Sequence, residues 1–210
     1  MSGIETIVCD FGGVLTSPLL GAFTAYGEAS GIGLEQLGQA IATVAQRDGE
    51  NPLFALETGA VTEEKFLTEL ESALSDQLGS PVSMHGFAEH YFSGLHPNEP
   101  MIELMRSLRA RGLRMAICTN NVREWEPLWR AKLPVDEIFE LVVDSAFVGM
   151  RKPDPRIYAL TLERLGMPAQ SALLIDDTEI NCGAARGFGM QAVWFRSNDQ
   201  AIEEIERAVG

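Results

Sequence analysis

Four short stretches combine residue types that can do chemistry: Asp10-Phe-Gly-Gly-Val-Leu-Thr16, Thr119-Asn120-Asn121, Arg151-Lys-Pro-Asp154 and Asp176-Asp177-Thr-Glu-Ile-Asn181. A carboxylate such as Asp10 can act as a nucleophile, because a covalent intermediate splits one hard displacement into two easier ones. Lys152 offers a fixed positive charge, and Thr119 and Asn120 offer hydrogen-bond donors. Taken singly, each stretch reads as a solvated loop. Their weight lies in their order, since each follows a short apolar run.

Five such runs punctuate the chain: Thr6-Ile-Val-Cys-Asp10, Leu113-Arg-Met-Ala-Ile-Cys118, Glu140-Leu-Val-Val143, Ala172-Leu-Leu-Ile-Asp176 and Gln191-Ala-Val-Trp-Phe195. Near-continuous apolar runs of this length suit parallel strands covered on both faces. Amphipathic stretches lie between them, at Pro100 to Arg111, Pro155 to Leu165 and Asp199 to Val209. Asp154 before Pro155 reads as an N-cap followed by a proline in the first helical turn. The alternation predicts a doubly wound α/β sheet. In such a sheet ligands bind outside the carboxyl ends of the strands, where the four polar stretches fall.

The first crossover is too long for one helix. From about Pro18 to Pro97 the patterns are helical, with Thr62 and Lys65 bracketing the start of one amphipathic turn. This block reads as a helical insertion perched over the strand ends. The expected division is a core of residues 1–17 and 97–210 and a cap of residues 18–96.

The four stretches, in this order, resemble the four motifs of the haloacid dehalogenase-like hydrolase superfamily. Asp176 to Met190, with its helix-and-glycine pattern, is similar to the segment around the fourth motif. Leu56-Glu-Thr-Gly59 followed by Thr62 to Leu70 is similar to the helical cap of members related to the phosphatase domain of soluble epoxide hydrolase. The resemblance implies a Rossmann-like parallel sheet of strand order 5-4-1-2-3, with the cap inserted after the first motif. It implies a Mg²⁺-dependent hydrolase of small phosphorylated metabolites, working through an aspartyl-phosphate.

On that reading Asp10 is the nucleophile and Lys152 offsets charge on the transferring phosphoryl group. Thr119 and Asn120, with Lys152, bind the phosphate, aided by backbone N–H groups where the next helix begins. The resemblance also implies that Asp10, Asp177 and the backbone carbonyl of Gly12 hold the metal, with Asp176 behind them and Asn181 steadying their loop. Carboxylates about 4 Å apart repel by roughly 4 kcal/mol at an effective dielectric near 20, a cost that a divalent cation removes. Oxygen ligands together with phosphate favour Mg²⁺ over zinc.

One position departs from the family pattern. Phosphate-monoester hydrolases of the superfamily commonly carry a second Asp two residues after the nucleophile, as general acid and base; here it is Gly12. Such help is worth roughly 10²–10⁴ in rate. Either another group substitutes, or the substrate has a good leaving group, or turnover is lost. The last option defines the competing reading, a catalytically weakened member that binds a phosphorylated ligand or a protein partner. The pair Asp176-Asp177 argues against the metal-free dehalogenase branch. A phosphonate-cleaving branch would need a Schiff-base lysine in the cap, for which Lys65 is the candidate.

His85, His90 and His96 near the cap's end are candidates for a replacement proton donor. Phe23 and Tyr26 are candidates for facing substrate, whereas Trp125 and Trp129 at i, i+4 spacing read as helix packing. Cys9, Cys118 and Cys182 lack metal-ligand spacing and read as reduced core residues, with a redox pair between neighbouring strands left open. Hydrophobic residues make up 46% of the 210 residues and charged ones 22%, which suits a globular chain. A net charge of −14 opposes a nucleic-acid partner. No apolar stretch reaches membrane-spanning length, and the start has no basic, cleavable leader pattern, so a cytoplasmic setting is expected.

Overall fold

In the computed structural model, which describes residues 3–210, the apolar runs form strands β1 (Thr6–Cys9), β2 (Arg114–Thr119), β3 (Leu141–Asp144), β4 (Ala172–Asp176) and β5 (Gln191–Trp194). All pairings are parallel, in the order β3-β2-β1-β4-β5. This is the expected 5-4-1-2-3 order read from the opposite edge. Four of the strands end one residue from the sequence expectation, and β4 matches it at both ends. Asp10 and Phe195 lie just past β1 and β5, yet their N–H groups still donate to Ile175 O and Asp176 O.

Alternation along each strand sorts the side chains between two apolar layers. Ile7, Cys9, Leu173 and Ile175 belong to the larger cluster, and Val8, Cys118 and Leu174 to the smaller one. The same geometry disposes of a redox pair. Cys9 stands opposite Ile117, so Cys118 is one residue out of register and on the other face of the sheet. All three cysteines are free and buried.

Five helices fill the long crossover after β1: α1 (Leu19–Ser30), α2 (Leu34–Asp48), α3 (Pro52–Glu57), α4 (Glu63–Leu78) and α5 (Phe87–Ser93). Each of α2 and α4 buries one apolar stripe, Leu37, Ala40 and Val44 on one and Phe66, Leu70 and Leu74 on the other. Thr62 caps α4, its hydroxyl accepting from Lys65 N. The insertion leaves and returns at one place. Thr16 bridges Pro97 antiparallel, Ser17 N donates to His96 O (2.7 Å) and Asn98 N donates to Leu15 O (2.9 Å).

The remaining helices are α6 (Glu99–Ala110), α7 (Glu126–Arg130), α8 (Val135–Ile138), α9 (Ser145–Val148), α10 (Pro155–Leu165), α11 (Glu179–Phe188) and α12 (Asn198–Val209). Asp154 caps α10, accepting from Arg156 N at 2.9 Å. The last helix starts one residue earlier than its apolar pattern suggests, because the Ser197 hydroxyl accepts from Gln200 N and fixes its first turn. The chain runs from β1 outward to β2 and β3, then returns to β4 and β5 on the other side. The switch point therefore lies between β1 and β4, and Asp10 and Asp176 stand at its carboxyl end.

Candidate active site

Asp10 Oδ1 accepts from Phe11 N (2.8 Å) and lies 2.9 Å from Lys152 Nζ. The lysine also donates to Asp176 Oδ2 at 2.6 Å. Lys152 is thus fully buried rather than a surface lysine. Burial alone would lower its pKa, but the charges of Asp10 and Asp176 outweigh that and hold it well above the ordinary lysine value. Asp176 is held on its other oxygen as well, since Oδ1 accepts from Asn181 Nδ2 (2.9 Å) and Thr178 N (2.9 Å).

Asn120 holds the lysine from the other end. Its Oδ1 accepts from Lys152 N (2.8 Å) and its Nδ2 donates to Lys152 O (2.9 Å). The side chain expected to bind phosphate therefore spends its acceptor and one N–H on the main chain of Lys152, keeping one N–H for other partners. Thr119 ends β2 and is buried in the wall of the same cavity as Asp10.

One carboxylate oxygen from each of Asp10, Asp176 and Asp177 lies within 4.8 Å of the others. The Asp177 hydrogen bond from Thr178 Oγ1 uses only Oδ1. Gly13 makes room for Asp177: its φ is +73°, and an added Cβ would sit 2.2 Å from Asp177 Oδ2. Three carboxylates around one ammonium leave two negative charges uncompensated. Burial, with the charges of Asp176 and Asp177, raises the Asp10 pKa to about 7 despite Lys152. Burial and Asp176 raise Asp177 as well. An all-oxygen set short of two positive charges fits a hard divalent cation and offers zinc neither His nor Cys.

Gly12 does not have a positive φ, so no backbone conformation bars a side chain there. The obstacle is Leu19, whose methyls would lie 3.0 and 3.2 Å from an added Cβ. Above Asp10 and Gly12 opens a cavity of about 550 Å³, walled by Phe23, Tyr91, Phe92, Trp125, Glu57 and Arg151 among others. A second hollow of about 330 Å³, bounded by Thr16, Asn98 and Ser197, includes none of the three clustered carboxylates.

Several sequence candidates fall outside this cavity. Lys65 is exposed and paired with Glu69 at 3.8 Å. His85, His90 and His96 are exposed, and His90 Nδ1 is bonded to Gly86 O. Tyr26 is buried edge-on against Phe87. Phe23 does line the cavity. The two tryptophans divide: Trp129 is core, tilted on Phe11 at 5.2 Å, whereas Trp125 faces the cavity from a separate 3₁₀ turn. Sequence reasoning gave no role to Glu57 and Arg151, whose ion pair (2.6 Å) joins the end of α3 to the loop before Lys152. No local pattern links positions so far apart. The Leu56-Glu-Thr-Gly59 resemblance was the available signal.

The haloacid dehalogenase-like hydrolase family model matches residues 4–189, and the chain belongs to that family. It is 38% identical over 92 residues to glyceraldehyde 3-phosphate phosphatase of Pyrococcus abyssi, covering 42% of this chain and 38% of the relative. It is 32% identical over 117 residues to bifunctional epoxide hydrolase 2 of Sus scrofa, covering 54% of this chain and 21% of the relative. The chain thus spans well under half the length of either. A HAD family enzyme of Bacteroides thetaiotaomicron, solved with magnesium and inorganic phosphate, superposes with a TM-score of 0.66 at 21% identity. That match covers 92% of this chain and 95% of the other. Among the described residues no helix is long and apolar enough to cross a membrane.

Proposed function

We propose that this hydrolase cleaves small phosphate monoesters with a divalent cation, Mg²⁺ by preference, through a phosphoryl group carried on Asp10. The observation that carries the reading is the bridge Asp10–Lys152–Asp176 beside Asp177, at the switch point and under a cavity. The phosphatase relative and the magnesium–phosphate complex of the structural neighbour support the same class.

Asp10, Asp177 and the Gly12 carbonyl would hold the cation, which supplies charge neutralisation for the carboxylates and the phosphoryl oxygens. Asp10 Oδ2, the oxygen without a protein donor, attacks phosphorus while the ester P–O bond breaks. Lys152 favours the ionised form of Asp10 and offsets charge on the phosphoryl group. Thr119 and the free Asn120 N–H hold phosphoryl oxygens. The leaving oxygen takes its proton from water, since Gly12 carries no carboxyl. Water then attacks the phosphorus of the aspartyl-phosphate, releasing inorganic phosphate and restoring Asp10. Residues 18–96 act as the cap that closes the cavity over Asp10.

Gly12 favours a second reading, in which the chain binds a phosphorylated ligand without turning it over. A panel of phosphate esters assayed with and without Mg²⁺ separates the two. Metal-dependent phosphate release supports the hydrolase, and binding without release supports the alternative.

A further inference from the structure

We infer that the cavity over Asp10 selects phosphate esters whose organic group is apolar, a substrate class that rests on the phosphohydrolase reading above. The cavity that contains Asp10 is also lined by Leu19, Phe23, Tyr91, Phe92, Leu95 and Trp125. Their rings form one continuous patch: Phe23 to Tyr91 is 4.9 Å between centroids, Tyr91 to Trp125 5.5 Å and Phe92 to Trp125 5.6 Å.

Some of the polar groups in this wall are paired within the protein. Trp125 Nε1 donates to Glu63 Oε1 at 2.6 Å, leaving the indole carbons to the cavity. Arg151 Nε donates to Glu57 Oε2 at 2.6 Å, and its guanidinium stacks over the Phe54 ring at 4.0 Å. The Tyr91 hydroxyl stays protonated, because burial and the charges of Glu57 and Asp177 raise its pKa.

A polyhydroxylated organic group would therefore lose water at several hydroxyls and regain few partners. Each hydroxyl left unpaired lowers affinity by about tenfold or more. A hydrocarbon group loses nothing of that kind and gains by leaving water. A cavity of about 550 Å³ is of the size that holds a compact organic ligand. Leu19 sharpens the choice. It fills the space beside Gly12 where the usual acid would stand, so the missing carboxylate is replaced by apolar surface.

The test uses straight-chain alkyl phosphates from butyl to octyl, whose leaving groups have nearly constant acidity, so that rate differences report contact and not chemistry. With Mg²⁺ present, kcat/KM should rise about two- to fourfold per methylene until the cavity is filled. Glycerol and hexose phosphates should be poorer than butyl phosphate. Phe23→Ser and Trp125→Ser, both at partly buried positions, should flatten the chain-length slope. A flat slope in the wild type, or preference for the hydroxylated esters, overturns the apolar assignment while leaving the phosphohydrolase reading intact. No release from any ester overturns both.

Discussion

Lys152 and Asp176 form an ion pair that water does not reach: Nζ lies 2.6 Å from Oδ2 and both side chains are fully buried. Removing one partner from such a pair strands a buried charge and typically costs about 3–5 kcal/mol. Lys152→Met should therefore lower stability by about that much, as read by urea denaturation. The double variant Lys152→Met with Asp176→Asn should recover part of the loss, because the stranded charge goes with it. Single losses that simply add would contradict the coupling.

The cation should depend on Asp177 more than on Asn181. Asp177→Ala removes a proposed ligand, whereas Asn181→Ala removes one of three hydrogen bonds that fix Asp176. Calorimetric titration with Mg²⁺ should show the larger loss for Asp177→Ala. Gly13→Ala should behave like Asp177→Ala, since its methyl would occupy the place of Asp177 Oδ2. Equal affinities for Asp177→Ala and Asn181→Ala would contradict the ligand set.

Gly12→Asp should speed alkyl phosphates more than aryl phosphates, because only the poor leaving groups need the proton. General acid help is worth roughly 10²–10⁴ where it can act. Leu19 crowds the new side chain, so the gain should be larger in Gly12→Asp with Leu19→Ala. The comparison is the alkyl-to-aryl rate ratio at matched metal occupancy. An unchanged ratio in both variants would show that the proton is supplied elsewhere.

Asp144 gives a pH signature of its own. It caps α9 with Oδ1, while Oδ2 is buried without a partner. Burial raises its pKa from 3.8 to about 6, and nearby Trp129, whose Nε1 lies outside hydrogen-bond geometry, does not offset this. The unfolded chain ionises first, so this contribution is fully present below about pH 4. It is lost as pH rises to 6 and flat above, a change of about 2–3 kcal/mol. Asp144→Asn, which keeps a good N-cap residue, should flatten stability between pH 4 and 6 relative to wild type. Denaturation midpoints across that range check it, and parallel curves would refute it.

The sheet was legible because buried parallel strands read as continuous apolar runs, and their carboxyl ends pointed to Asp10, Thr119, Lys152 and Asp176. The short helices α7, α8 and α9 were not, since four or five residues cover little more than one turn and cannot repeat a helical pattern. What Asn120 does was also hidden. Its residue type suggests a phosphate donor, and only the backbone of Lys152, 32 residues later, reveals the grip. The cavity wall was half legible. Phe23 was a candidate from its place in the first cap helix, but Trp125 was grouped with Trp129 because spacing cannot show a break between a 3₁₀ turn and a helix. Glu57 and Arg151 meet across 94 positions, beyond the reach of any local pattern.

The most direct test is rapid acid quenching of the Mg²⁺-loaded protein during turnover of a reactive aryl phosphate, followed by peptide mass spectrometry. A single phosphoryl group should appear on the peptide containing Asp10, should vanish on mild alkaline treatment and should be absent from Asp10→Asn. Full turnover with Asp10 unmodified at every quench time, or wild-type turnover by folded Asp10→Asn, would contradict the account.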